Sequence, residues 1–404
     1  MASITNDCIK IEGITEKHLL LDLKMKIEPN DHGHAELLIR MVDEGRGENL
    51  LKNMENKMVT IKSTAKDNTG ILFKGYMERC TVRPQLDGET VEIGLVTATI
   101  KADKERKSLS FQKKEMKYEE IIKKTASECS GVCSHMDDKI KSEQIKKPVI
   151  RYKETEWEFT GRLASRYRLQ VVPDETADKP TFSIGIKKEG SAPERGFFKK
   201  EYKDFVKAGA YIERKLRDEE CSASQEDYRG MEVRSFNTYK IGTGTTYNGK
   251  SMVICAKRAE TEGSQIVFTY VLGSEELYSP EKTYNHMLHG RCLEGKVVKC
   301  ENERVKMQLD IDTESGNTKP EGELYWFNWQ PETGNLMYCM PEKDTVVSLY
   351  VGGTDEGEAI VINSLRKDKG KDIDDPERRY LTSIDKKRML IKKKEKGFSM
   401  EDKD

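Results

Sequence analysis

The chain has 404 residues, more than one hydrophobic core usually organises, so roughly two to four domains are expected. Its 70 basic and 71 acidic residues leave a net charge of -1, which excludes a global field drawing it to nucleic acid or an anionic membrane. At 36% hydrophobic and 35% charged it is polar for a compact globule, and apolar faces completed by partner chains are the reading adopted.

The opening "MASITNDCIKIEG" lacks a basic flank followed by an apolar run. No stretch reaches about 18 consecutive apolar residues. Nine cysteines without a signal peptide fit reduced thiols in a protein made in the cytosol.

The first hundred or so residues alternate: "CIKIEGI", "HLLLDLKMKIE", "AELLIRMV", "KMVTIKST", "GILFKGYMERCTV" and "TVEIGLVTATIKA" place an apolar side chain at every second position. Period two predicts half-buried strands, and "EPNDHGH", "KDNTG" and "QLDGE" supply turns between them. A first β-barrel over 1–105 follows. The period then changes. "MKYEEIIKKTASEC" aligns Met116, Tyr118, Ile121, Ile122 and Thr125 on one helical stripe. A second helix lies in "YKETEWEFTGRLASRYRL", where Thr155 and Glu158 form a capping box and Phe159, Leu163 and Tyr167 recur every four residues beside Trp157. These helices, with "LQVVPD" and "TFSIGIKK", make a connector with an α/β element over 106–200.

Strands return in "YKDFVKAGAYIERK", "GMEVRSFNTYKIG", "SMVICAKRAE" and "SQIVFTYVLGS", a second barrel over 201–280 in the style of the first. From 281 to 366, "RCLEGKVVKCENERVKMQLDID", "GELYWFNWQPETGNLMYCMPEKDTVVSLYVGG" and "GEAIVINSLR" suit a small closed barrel of the OB type. The charged tail over 367–404 alternates weakly and reads as an unfinished strand region or as disorder. The fold class is therefore mainly β with a few short helices.

Three motifs tempt a chemical reading. "GTTYNGKS" at 244–251 has the phosphate-loop spacing ending in Lys250 and Ser251. Such a loop needs a helix after it, whereas "SMVICAKRAE" is β-branched and alternating, and Asn248-Gly249 is a tight-hairpin signal. Cys129, Cys133 and His135, and separately His286, His289 and Cys292, supply three potential metal ligands each, at spacings unlike those of zinc sites; idle thiols are preferred. Tyr325, Trp326, Phe327 and Trp329 could stack bases on an OB barrel, but no basic residues are interleaved with them and packing is preferred. No nucleophile elbow or metalloprotease motif occurs, so no catalytic, cofactor or metal residue is assigned.

Four segments, in order, resemble the hub and spike proteins of contractile injection machines: phage tails, R-type bacteriocins and VgrG-like secretion spikes. They are "KERKSLSFQKKEMKYEEIIKK", "YKETEWEFTGRLASRYRLQVVPD", "YKIGTGTTYNGKSMVICAKRAETEGSQIVFTYVL", and the OB region from "ERVKMQLDID" through "LYWFNW" and "MPEKDTVV" to "EAIVINS". The resemblance implies two similar hub barrels with an inserted α/β element, then an OB-fold spike base. It further implies a homotrimer, with a hexameric tube protein above, a spike tip or effector below and baseplate proteins around it. No cofactor, nucleic acid or enzymatic step is implied, and a target membrane would be met only on firing. Trp157, Phe159, Leu163, Tyr167, Tyr325, Trp326, Phe327, Trp329 and Pro341 are expected to pack or to form interfaces. Two departures stand out. "RYLTSIDKKRMLIKKKEKGFSM" is short for a spike, which implies a separate tip protein, and Lys117 occupies a position where the family often has a helix-capping threonine.

Overall fold

A computed structural model describes residues 3–42, 47–52, 56–85, 88–198, 201–217, 222–331, 339–365, 379–382, 387–391 and 398–402. The chain is mainly β, as expected, and divides into two compact units. The larger holds 1–107, 115–145 and 153–285; the smaller holds 108–114, 146–152 and 286–404.

In the larger unit, alternation dictates strands whose buried residues share one face. In β1 (His18–Ile27) Leu23, Met25 and Ile27 are buried while Lys24 and Lys26 face out, and β2 (His34–Met41) buries Ala35, Leu37, Ile39 and Met41. The half is completed by β3 (Met58–Ser63), β4 (Gly70–Gln85) and β5 (Gly88–Thr97). After the connector come β6 (Tyr202–Val206), β7 (Arg229–Ser235), β8 (Gly244–Tyr247), β9 (Lys250–Glu262) and β10 (Gln265–Gly273). One 13-stranded sheet runs through both halves in the order β6-β7-β10-β9-β1-β2-β5-β4-β3, ending on Ile9–Glu12. Its apolar faces share one core containing Leu37, Ile93, Phe268 and Tyr270.

Between the halves, α1 (Tyr118–Glu128) and α2 (Glu156–Ser165) accompany a three-stranded sheet in which Val132–Met136 runs parallel to Thr181–Ile184. Lys117 makes no side-chain cap, as its identity implied, but the Tyr118 N–H donates to the Glu143 carbonyl at 3.0 Å and the helix still starts there. A correction falls at "YKDFVKAGAYIERK". Only Tyr202–Val206 is strand, and Ala208–Arg217 is a helix, α3. Alanine, glutamate, lysine, arginine and leucine are strong helix formers, and with Ile212 four residues before Leu216 they override the alternation read from the segment.

The smaller unit contains β11 (Arg291–Glu301), β12 (Arg304–Leu309), β13 (Trp326–Asn328), β14 (Val346–Val351) and β15 (Ile360–Leu365), ordered β13-β12-β11-β14-β15. A parallel bridge between Trp329 and Val361 links the two ends, giving the connectivity of a five-stranded OB barrel. Val297, Val305, Met307, Phe327 and Val347 fill it. In the tail, Arg379–Thr382, Lys387–Ile391 and Phe398–Asp402 form a three-stranded antiparallel sheet, whereas 366–378 and 332–338 lie outside the described residues.

Candidate functional site

Around α2 the helix start is built by the capping box: the Glu158 N–H donates to Thr155 Oγ1 at 3.1 Å, and the Thr155 N–H donates to Glu158 Oε2 at 3.0 Å. Arg106 forks onto both Glu158 oxygens at 2.7 Å. Burial opposes ionisation of Glu158, but the Arg106 fork and the Thr155 N–H hold its carboxyl below the usual range.

Phe159 and Leu163 are fully buried. Trp157 is half-buried, its ring 4.5 Å from His32 and edge-on to Phe182 at 6.2 Å. Tyr167 meets Tyr118 of α1 edge-on at 5.3 Å.

The sequence reading did not foresee the polar cluster beneath this aromatic layer. Arg162 makes a two-pronged ion pair with Glu154 at 2.7 and 2.8 Å, both side chains buried. Glu156 accepts from Thr125 of α1 at 2.8 Å and from Thr160 at 3.0 Å, tying the helices together. His32 shares a proton with Thr99 at 2.8 Å through Nδ1, and its Nε2 lies 3.5 Å from Asp103, which also accepts from Thr155. Burial lowers the His32 pKa, against Asp103 and Asp31 acting to raise it.

The second candidate group separates. Phe327 is core, and Tyr325 is half-buried edge-on to it at 5.2 Å. Trp329 donates from Nε1 to the Cys339 carbonyl at 3.0 Å, and the buried Pro341 accepts at its carbonyl from Cys300 Sγ at 3.0 Å. Trp326 faces outward and, contrary to the sequence reading, has cations beside it: Arg304 and Lys306 of the neighbouring strand lie 5.7 and 5.1 Å from its ring. Register explains the miss, since Lys306 pairs with Trp326 across the ladder rather than along the chain. The "SLSFQ" segment also acquires a place. Ser110 donates from N and Oγ to the fully buried Asp312, both at 2.6 Å, and Lys319 pairs with Asp312 at 2.7 Å. Gln112 accepts from the Tyr325 N–H at 3.1 Å.

Lys250 and Ser251 open the strand β9, not a helix. Tyr247 pairs with Lys250 across a two-residue turn in which Asn248 and Gly249 have φ of 47° and 76°. The Lys250 ammonium is 2.5 Å from Glu226. The phosphate-loop geometry is not formed. Among the described residues no three metal-ligating side chains converge; Cys129 donates to the Ala126 carbonyl, and burial pushes the Cys133 thiol up to about 11.

Neither a protein-family model nor a curated protein matches the sequence. Solved structures do. The E. coli c3393 protein, a component of the type VI secretion system with structural similarity to the T4 bacteriophage tail proteins gp27 and gp5, is 14% identical with a TM-score of 0.62, over 89% of this chain and 99% of that one. The fold is that of the hub and spike proteins. A chain of the half-lidded Francisella PdpA-VgrG complex shares the hub fold at 10% identity and a TM-score of 0.55, over 95% of this chain and 83% of that one. A lidless PdpA-VgrG complex gives 10% and 0.53, over 96% and 94%.

Proposed function

We propose that this chain is a subunit of a homotrimeric hub and spike base in a contractile injection machine. It joins a hexameric tube to a membrane-piercing tip and works mechanically, without a chemical step. The observation that carries this reading is the hub fold extending over nearly the whole chain and nearly the whole of a type VI secretion component. Support also comes from the single sheet through two halves, since three copies with two halves each offer six units to a six-fold tube. Baseplate proteins surround the trimer and a tip or effector sits below it; the Francisella PdpA-VgrG complex shows a protein of this fold bound to a partner. Light scattering on the purified chain should give the mass of three copies; a monomer at all concentrations overturns the proposal.

One further reading has a specific observation behind it. Trp326, Arg304 and Lys306 lie on the second and third strands of the OB barrel, the face on which such barrels bind oligonucleotides. Absence of single-strand affinity at low salt removes it. For the nucleotide enzyme, equal and negligible nucleotide binding by wild type and Lys250→Ala is expected.

A further inference from the structure

His32 stands where two sets of hydrogen bonds meet. On one side its Nδ1 lies 2.8 Å from the Thr99 hydroxyl, which lies 2.8 Å from the Thr97 hydroxyl, and that oxygen accepts from the Gly33 N–H at 3.1 Å. On the other side its buried Nε2 has no hydrogen-bond partner among the described residues and lies 3.5 Å from Asp103 Oδ2, while Asp103 Oδ1 accepts the hydroxyl proton of Thr155. Thr155 caps α2, and Trp157 in the first turn of that helix lies against the His32 ring. Thr97 and Thr99 are fully buried.

The chemistry of these groups places the protons. Thr97 accepts from Gly33 and has only Thr99, among the described residues, to donate to. Thr99 in turn donates to His32 Nδ1. No other order uses both hydroxyl protons, so the neutral ring carries its own proton on Nε2, on the Asp103 side. A second proton enters at Nδ1, which alone has a lone pair free. Thr99 must then accept from the ring and turn its proton towards Thr97, whose proton loses its acceptor. The ring becomes a buried cation, and Asp103 is the carboxylate next to it. Closing that gap to about 2.8 Å makes a charge-assisted bond in competition with the one from Thr155.

We infer that His32 is an acid-operated release for the start of α2: protonation draws Asp103 from the Thr155 hydroxyl to the imidazolium, and the capping turn of the helix loosens. Burial holds the response below the ordinary imidazole value near 6.5; Asp103 and then Asp31 favour the cation, and His34 on β2 opposes it. Arg106 adds a positive charge near Asp103 while it is bonded to Glu158. The other carboxylate of the first turn of α2, Glu156, is occupied by Thr125 and Thr160. Phe182, packed on Trp157 from the neighbouring strand, brings no charge. The device lies within one chain and does not depend on the hub reading.

Hydrogen exchange of the full-length protein at pH 7.5 and 5, scaled for the intrinsic effect of pH and read peptide by peptide, tests it. The amides of Glu158 and Phe159, which bond Thr155 Oγ1 and the Thr155 carbonyl, should lose protection about fivefold at pH 5 while strand β10 keeps its own. His32→Gln should abolish the change. Asp103→Asn keeps an acceptor for Thr155 but offers the ring no anion, and it too should abolish the change. The inference is overturned if either variant, folded by circular dichroism, responds to acid as wild type does. It is equally overturned if α2 and β10 lose protection together, because the chain then loosens as a whole, or if wild type shows no change at α2.

Discussion

Helices α2 and α3 have the same length and the same mixture of apolar and charged residues, yet they are held in opposite ways. α2 buries Phe159, Leu163 and Ala164 completely, and its charged Arg162 and Glu156 go inside with them. α3 buries no side chain. It is attached by its polar face, with Arg214 bonded to Tyr228 at 3.3 Å and to Glu276 at 2.5 Å and Arg217 paired with Glu281, while Ile212 and Leu216 are 55% and 79% exposed. An amphipathic sequence therefore fixes only that one face differs from the other. Which face meets the protein is decided by what the neighbouring strands offer: an apolar pocket beneath α2, and carboxylates and a phenol beneath α3.

The strongest way to break this contrast is Leu163→Asp. A carboxylate in a fully closed apolar site has no partner and no water, and the loss should be at least ~4 kcal/mol, seen as a collapse of the urea midpoint and failure to assemble. A variant that unfolds and assembles like wild type refutes the packing role of α2. Next comes Arg162→Ala, which leaves Glu154 buried without its fork; about 3 to 5 kcal/mol should disappear. Restoring neutrality with Glu154→Gln in the same chain should recover part of that loss, which a pure cavity effect would not allow.

His32, its ring tilted against that of Trp157, sharpens the comparison by pH. Burial holds its folded-state pKa below the ordinary value near 6.5, so the unfolded chain binds the proton more readily. The stability contributed by neutral His32 is complete above that value and is lost as pH falls from about 6.5 through the folded pKa. Asp103 and Asp31 moderate the loss and His34 adds to it. Unfolding midpoints measured from pH 7.5 to 5 should fall more steeply in wild type than in His32→Gln; parallel curves refute the assignment.

Much of this was readable from the chain. Alternation announced the strands, Thr155 with Glu158 announced the start of α2, and Asn248-Gly249 announced the hairpin that a phosphate-loop pattern imitates. What stayed hidden was set by register or by contacts distant along the chain. Lys306 reaches Trp326 only because their strands are adjacent, and Ser110 meets Asp312 across 202 positions. α3 was misread because its first residues continue the segment that begins as the strand Tyr202–Val206, and the helix-forming residues from Ala208 onward were read with it.

The smallest effect tests the other side of the contrast. Leu216→Ser removes an apolar side chain that is 79% exposed, so little buried area is lost and the unfolding free energy should change by less than about 0.5 kcal/mol. Arg214→Ala acts on the attached face instead: it removes the bonds to Tyr228 and Glu276 and should cost more than Leu216→Ser, although leucine is the more hydrophobic residue. Urea melts of the two variants side by side decide the point. If Leu216→Ser proves the more damaging, its side chain is covered in solution and α3 is held by its apolar stripe after all.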